Sequence, residues 1–197
     1  MSWMRTSKYR RPDASLQAEP SPIEYATMKK QPIVAIAMGS DSDLPVMSET
    51  RSVLDEFGVA SEVRIVSAHR TPELCRRFAQ GAAGRGIKVI VAGAGKAAHL
   101  AGVIAAHTTL PVIGVPLDAG MNGLDALLST VQMPGGVPVA CVAVGKAGAK
   151  NAGLLAVEIL ALSDAGLAGR LTAYRARMAR DVAAKARAAA RSGGRKS

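Results

Sequence analysis

The sequence predicts an α/β fold, a three-layer sandwich in which a parallel five-stranded sheet carries helices on both faces. Three observations predict it. Short apolar runs alternate with longer segments of helical period, the pattern of successive β–α units. The first run, residues 33–38, is apolar without a break, as in a strand buried on both faces. Three of the runs end in small, polar loops, and an open α/β sheet takes its ligand at the carboxyl ends of its strands.

Length and composition narrow the class. A chain of 197 residues fits one domain with some to spare, and 49% hydrophobic residues supply a full core. Aromatics are only 3%, which argues against a base-stacking nucleic-acid surface. The net charge of +10 is unevenly spread: residues 1–30 hold 6 basic and 3 acidic side chains, 31–169 hold 10 and 11, and 170–197 hold 9 and 1. The middle is near neutral, so no specific nucleic-acid groove is expected on the fold; the ends are at most weak polyanion binders. Cys75 and Cys141 lie in apolar runs and read as buried thiols of a reducing compartment. No zinc spacing occurs and no metal is expected. No run of 18 apolar residues exists, so no membrane span is expected.

In chain order, residues 1–31 lack any period and are expected to be a disordered extension, without a secretory leader. The strand at 33–38 is broken by Gly39-Ser40-Asp41-Ser42-Asp43. A helix follows with Met47, Thr50, Leu54 and Phe57 at helical spacing, ending at Gly58. Asp43 is its expected N-cap, with Pro45 in the first turn. Residues 59–66 form a second strand, ending in Ser67-Ala68-His69-Arg70-Thr71-Pro72. Leu74, Cys75, Phe78, Ala79 and Ala82 then mark a second helix. A third strand at 87–92 runs into Gly93-Ala94-Gly95-Lys96-Ala97-Ala98-His99 and a small-residue helix to about His107. Strands are expected at 111–115 and 137–144, with the segment around Ser129 and residues 132–136 between them reading as loop. A hydrophobic helix is expected at 151–162. Residues 167–191 predict one more, packed through Leu171, Tyr174, Met178 and Val182. The catalytic α/β part is thus 32–163, and 164–197 is a C-terminal helical extension with a basic tail. Five strands suggest a flavodoxin-like order.

In that order the loops after the first three strands open on one edge. The first offers Ser40 and Ser42, whose hydroxyls and neighbouring N–H groups suit phosphate, and Asp43, which suits ribose hydroxyls or serves only as a cap. The second brings together Ser67, the imidazole of His69, which moves protons near neutral pH, and the guanidinium of Arg70, whose fork matches phosphate. The third matches G-x-G-x-x-A, but Asp118 lies later than a dinucleotide fingerprint asks, and Ile90 and Ala97 stand where a P-loop needs Gly and Ser or Thr. Its small residues let backbone approach a ligand closely. His99 opens a helix at this edge, either as pocket wall or as structure; His107, at a helix end, reads as structure. No hydrolase triad emerges. A cofactor-free reaction on a small phosphorylated molecule is the economical inference.

The ordered set GSDSD, SAHRTP, AGAGKAAHLAG, LPVIGVP and residues 129–139 resembles the N5-carboxyaminoimidazole ribonucleotide mutase family of purine biosynthesis, microbial type, over about residues 32–163. SAHRTP, and a third loop without Ser-Asn, favour the mutase over the related direct carboxylase. The resemblance implies transfer of a carboxylate from an exocyclic nitrogen to ring carbon 4 of an aminoimidazole ribonucleotide, with no metal or organic cofactor, in a cytoplasmic homo-octamer whose last helix contacts neighbours. It implies His69 as the general acid–base residue, Ser40 near the reacting carboxylate and Asp43 on the ribose. Ser42, Ser67 and Arg70 would hold the phosphate, with Gly95, Ala98 and His99 around the base and carbon dioxide. A direct carboxylase, a non-catalytic nucleotide-binding module and an NAD-binding domain are the alternatives. Two positions depart from the family's usual pattern, which has Gly at Lys96 and Pro at Ala101. Lys96 meets a steric limit if its site needs φ > 0, and it offers a cation near the carboxylate; it is expected to point away and leave activity intact.

Overall fold

The computed structural model describes residues 31–193, with side chains to Arg191. The expected N-terminal extension, Gln31 apart, lies outside the described residues. The strands are β1 (Val34–Met38), β2 (Ser61–Ile65), β3 (Val89–Gly95), β4 (Val112–Leu117) and β5 (Ala140–Cys141). The helices are α1 (Leu44–Glu56), α2 (Pro72–Ala82), α3 (Leu100–Ala105), α4 (Leu124–Val131), α5 (Gly145–Ala161) and α6 (Ala165–Gly193). The sheet is parallel throughout, in the order β2-β1-β3-β4-β5. This is the flavodoxin-like α/β fold, and the strand order reverses between β1 and β3.

Alternation along β1 builds two cores. Val34, Ile36 and Met38 face Met47, Val53, Leu54 and Phe57 of α1 and Ala149, Ala152, Ala156 and Val157 of α5. Ala35 and Ala37 face the other way, toward Cys75, Phe78 and Ala79 of α2 and Leu100, Ala101 and Ile104 of α3. Burying side chains such as Ile36, Met47 and Leu54 completely contributes roughly 1.5–3 kcal/mol each. Small residues bring α5 close to α1: a Cβ on Gly153 would lie 2.9 Å from Val53 Cβ, and the buried Thr50 hydroxyl donates to the Ala149 carbonyl at 2.7 Å.

β3 runs three residues past its expected end, through Gly95, and four larger differences separate the expected elements from the observed ones. Ser129, expected in a turn-rich loop, lies in α4. The buried face of that helix is only Ala126 and Thr130, while Leu124, Leu128 and Val131 are about half exposed; Thr130 is seated over Gly114, where a Cβ would come within 2.4 Å of its methyl. The fifth strand, expected over 137–144, is in register with β4 only at Ala140 and Cys141, with one further bond from the Val142 N–H to the Gly114 carbonyl; on its N-terminal side Pro138 has no N–H to extend the ladder. α5 begins at Gly145, six residues before its expected start, with Gly148 packed against the Ala143 carbonyl. In α6, Leu167 and Tyr174 are buried and Leu171 packs against the same core, but Met178 and Val182 are 47% and 67% exposed. The helix outruns the body it docks on, so the expected four-residue stripe is covered only in its first half. Tyr174 stacks obliquely on Phe57 at 5.5 Å, Arg177 lies over the Tyr174 ring and pairs with Glu56, and Arg175 pairs with Glu158 at 2.7 Å.

Candidate active site

Beyond β1, the backbone enters a tight turn at Ser40. The Ser40 hydroxyl accepts from the Ser42 N–H at 3.3 Å, and Asp43 Oδ2 accepts from the Ser40 N–H at 3.2 Å. The two form a reciprocal capping box around one 3₁₀ turn, Asp41–Asp43. Asp43 was expected to cap α1, yet it makes no side-chain bond to that helix; its carboxylate is turned back on the loop. Half-buried there, the Asp43 carboxyl is pushed above the usual carboxylate range by desolvation, which outweighs the opposing pull of the Ser40 and Gly39 N–H groups, Arg70 and Ser42.

The loop after β2 is braced in the same manner. Thr71 Oγ1 accepts from the Ser67 N–H at 3.0 Å and donates to the Ser67 carbonyl at 3.1 Å. Ser67 Oγ accepts from the Arg70 N–H at 3.1 Å. The Arg70 guanidinium donates to Ser67 Oγ at 3.4 Å and reaches across to the Gly39 carbonyl at 2.5 Å. One side chain thus ties the second loop to the first. Pro72 opens α2 with its ring where the first turn has no N–H to lose.

The third loop is built differently. β3 continues through Gly95, which pairs with Leu117. A Cβ at Gly95 would stand 2.6 Å from Ala119 Cβ, so only glycine lets the chain after β4 approach this closely. Lys96 follows with φ +55°, in the left-handed region that costs a residue with a Cβ. His99 then presents Nδ1 to His69 Nε2 at 2.9 Å, the rings edge to face with centroids 4.9 Å apart. At this distance one ring contributes the hydrogen and the other a lone pair. The two imidazoles are a connected pair open to solvent.

All three loops meet in one cavity of about 410 Å³, within the range of small-molecule sites. Ser40, Ser42, Asp43, Ser67, His69, Arg70, Gly95 and His99 line it. Ala98 does not; it is buried beneath the wall, and Ala97 and Lys96 take the surface. Lys96, expected to point away, is among the residues that line the cavity. Ala119, from the loop after β4, also lines the cavity. That residue was missed in the sequence, although β4 neighbours β3 in any flavodoxin-like order and its following loop must share the edge. His107 follows α3 and does not line the pocket. The arrangement offers hydroxyls and a guanidinium at one side, a carboxylate at the first turn, and a linked pair of proton carriers at the other.

Known proteins resemble this chain in sequence and in fold. Residues 33–181 match the family model described as AIR carboxylase. The N5-carboxyaminoimidazole ribonucleotide mutase of Mycobacterium tuberculosis is 57% identical over 157 residues, covering 79% of this chain and 89% of that protein. The mutase of Bacillus subtilis is 58% identical over 142 residues, 72% and 88% of the two chains. Among solved structures, Treponema denticola PurE superposes with a TM-score of 0.70 at 31% identity, covering 77% of this chain and 94% of that one. With most of both lengths aligned and the loops of the pocket inside the matched span, the chain belongs to the AIR carboxylase family.

Proposed function

We propose that this chain is an isomerase of purine biosynthesis that converts N5-carboxyaminoimidazole ribonucleotide to 4-carboxyaminoimidazole ribonucleotide. The observation that carries the reading is the His69–His99 pair at 2.9 Å in the same cavity as Ser40, Asp43 and Arg70. The names of the relatives and their identity to this chain support the mutase over the direct carboxylase.

The chemistry follows from balance. The exocyclic N–C bond breaks, carbon dioxide leaves the nitrogen, and the nitrogen gains a proton. Ring carbon 4 then bonds to the trapped carbon dioxide and must lose its proton to become aromatic again. One proton is given and one is taken, so a single imidazole ends as it began. His69 fills that role as general acid–base residue, a contribution of about 10²–10⁴-fold, and His99 orients its ring. Arg70, Ser67 and Ser42 hold the phosphate, Asp43 the ribose, and Ser40 sits near the reacting carboxylate. Gly95 and His99 close the base and carbon dioxide end, with Ala98 supporting the wall from beneath. Holding both ends of the nucleotide keeps carbon 4 within attack distance of the freed carbon dioxide.

The proposal extends to a cytoplasmic homo-octamer. The half-exposed Leu124, Leu128 and Val131 of α4 and the exposed Met178 and Val182 of α6 support burial against other copies. The test is conversion of the carbamate nucleotide, followed by ultraviolet absorbance, beside a parallel incubation of aminoimidazole ribonucleotide with bicarbonate. Rapid turnover of the carbamate alone is expected. Turnover of the decarboxylated nucleotide with carbon dioxide, and none of the carbamate, would make the enzyme a direct carboxylase.

A further inference from the structure

Lys96 is the one described residue of the pocket wall other than glycine that holds a positive φ, +55°. A Cβ in that region is penalised, and such outliers persist where the surroundings impose them, often at functional sites. Its exposed ammonium group has no hydrogen-bond or ion-pair partner among the described residues. The cavity's other fixed cation, Arg70, is already engaged by the Gly39 carbonyl and Ser67 Oγ at the loop-two side. Lys96 belongs to the opposite loop, three residues before the His99 ring that meets His69. A nucleotide that carries both a phosphate and a carboxylate brings two anions, and two basic residues on different loops, Arg70 and Lys96, line the pocket.

We propose that Lys96 is a substrate-binding residue that supplies the positive charge for the carboxylate being moved, leaving the phosphate to Arg70. This rests on the functional reading above. A charge that grips the carboxylate on nitrogen and on carbon stabilises the bound carbamate and product more than the neutral carbon dioxide between them, so its loss raises KM without lowering kcat.

Lys96→Met, Lys96→Arg and Lys96→Gly separate charge from backbone. Turnover of the unaltered protein is measured first; if it converts no carbamate nucleotide, the functional reading fails, and this inference with it. Given turnover, Lys96→Met is expected to raise KM about tenfold, the effect of losing one charge-assisted contact, with Lys96→Arg restoring most of it. Calorimetry with 4-carboxyaminoimidazole ribonucleotide and with aminoimidazole ribonucleotide locates the charge: Lys96→Met should weaken the first about tenfold and the second hardly at all. Lys96→Gly should show the same loss of affinity while raising the melting temperature by roughly 2–4 °C, as left-handed strain is relieved. Equal weakening of both nucleotides would place the ammonium on the phosphate and overturn the assignment. Unchanged KM in Lys96→Met, in an enzyme that turns over, would overturn it as well.

Discussion

The first two loops of the pocket and the third reach the same cavity by opposite means. Ser40, Asp43, Ser67, Arg70 and Thr71 are fastened to one another and to backbone by at least seven hydrogen bonds. The third loop holds its shape through small residues and a left-handed lysine, and its side-chain link to the rest is the His99–His69 contact. A bonded loop orients groups against a ligand whose position never changes, as the phosphate and ribose contacts proposed above require. A loop of small residues gives room and close backbone approach, as suits the end where a carboxylate leaves one atom and joins another.

The largest expected effect falls where the two halves meet. His69→Asn keeps a side chain of similar shape but cannot exchange a proton near neutral pH. Conversion should fall by about 10³-fold or more, with KM and the urea midpoint near their original values because the side chain is exposed. A residual rate within a few-fold of the original would remove His69 from the chemistry and leave a pocket that only binds.

Next in size is the strap between loops one and two. Arg70→Met loses the bond to the Gly39 carbonyl and the fork offered to phosphate. KM should rise by roughly 10–100-fold, the equivalent of one hydrogen bond to a charged group. Unfolding free energy should drop by about 1 kcal/mol or less, since the contacts lie in water. A change confined to kcat would mean that Arg70 acts on the migrating group rather than on the anchor.

The same contrast explains what was legible in the sequence. The bonded loops announce themselves: Ser, Asp, His and Arg packed into five or six positions after an apolar strand have few structural excuses, and the strand pattern puts them on one edge. The third loop is written in Gly and Ala, which say only that something comes close. Its Lys96 stands out in the sequence only as a departure from the family's usual glycine, and the backbone then shows the positive φ that makes the departure costly. Ala119 carries no chemistry of its own, and only the packing against Gly95 reveals it as wall. α4 was hidden for a related reason. Its larger apolar residues point outward and its buried contacts are Ala126 and Thr130, so the usual stripe does not mark the face that packs. The fifth strand was overread because Val and Ala alternate convincingly, whereas proline spoils the ladder one residue at a time.

The smallest effect concerns Asp43, and it tests whether the bonded loop is arranged for the ligand or for the fold. Burial raises this carboxyl above its ordinary range in the folded chain. Folding therefore favours the protonated form. That stability is complete below the ordinary carboxylate range and is lost as pH rises through the raised value. At neutral pH the ionised group is a net load on the loop, even though it accepts the Ser40 N–H. Asn can accept the same bond without the charge. Asp43→Asn should consequently be as stable as the original protein at acid pH and slightly more stable at neutral pH. The gain should stay below about 1 kcal/mol, because the half-buried group is partly screened by water. The gain should open as pH climbs through the raised range and then stay level, as urea midpoints taken at several pH values would show. Substrate affinity should move the other way, by several-fold, because ribose hydroxyls donate better to a carboxylate than to an amide. A variant less stable at neutral pH and unchanged in affinity would mean that the carboxylate serves the turn. The opposite pair of shifts would mean that the loop tolerates an unfavourable charge because the nucleotide needs it.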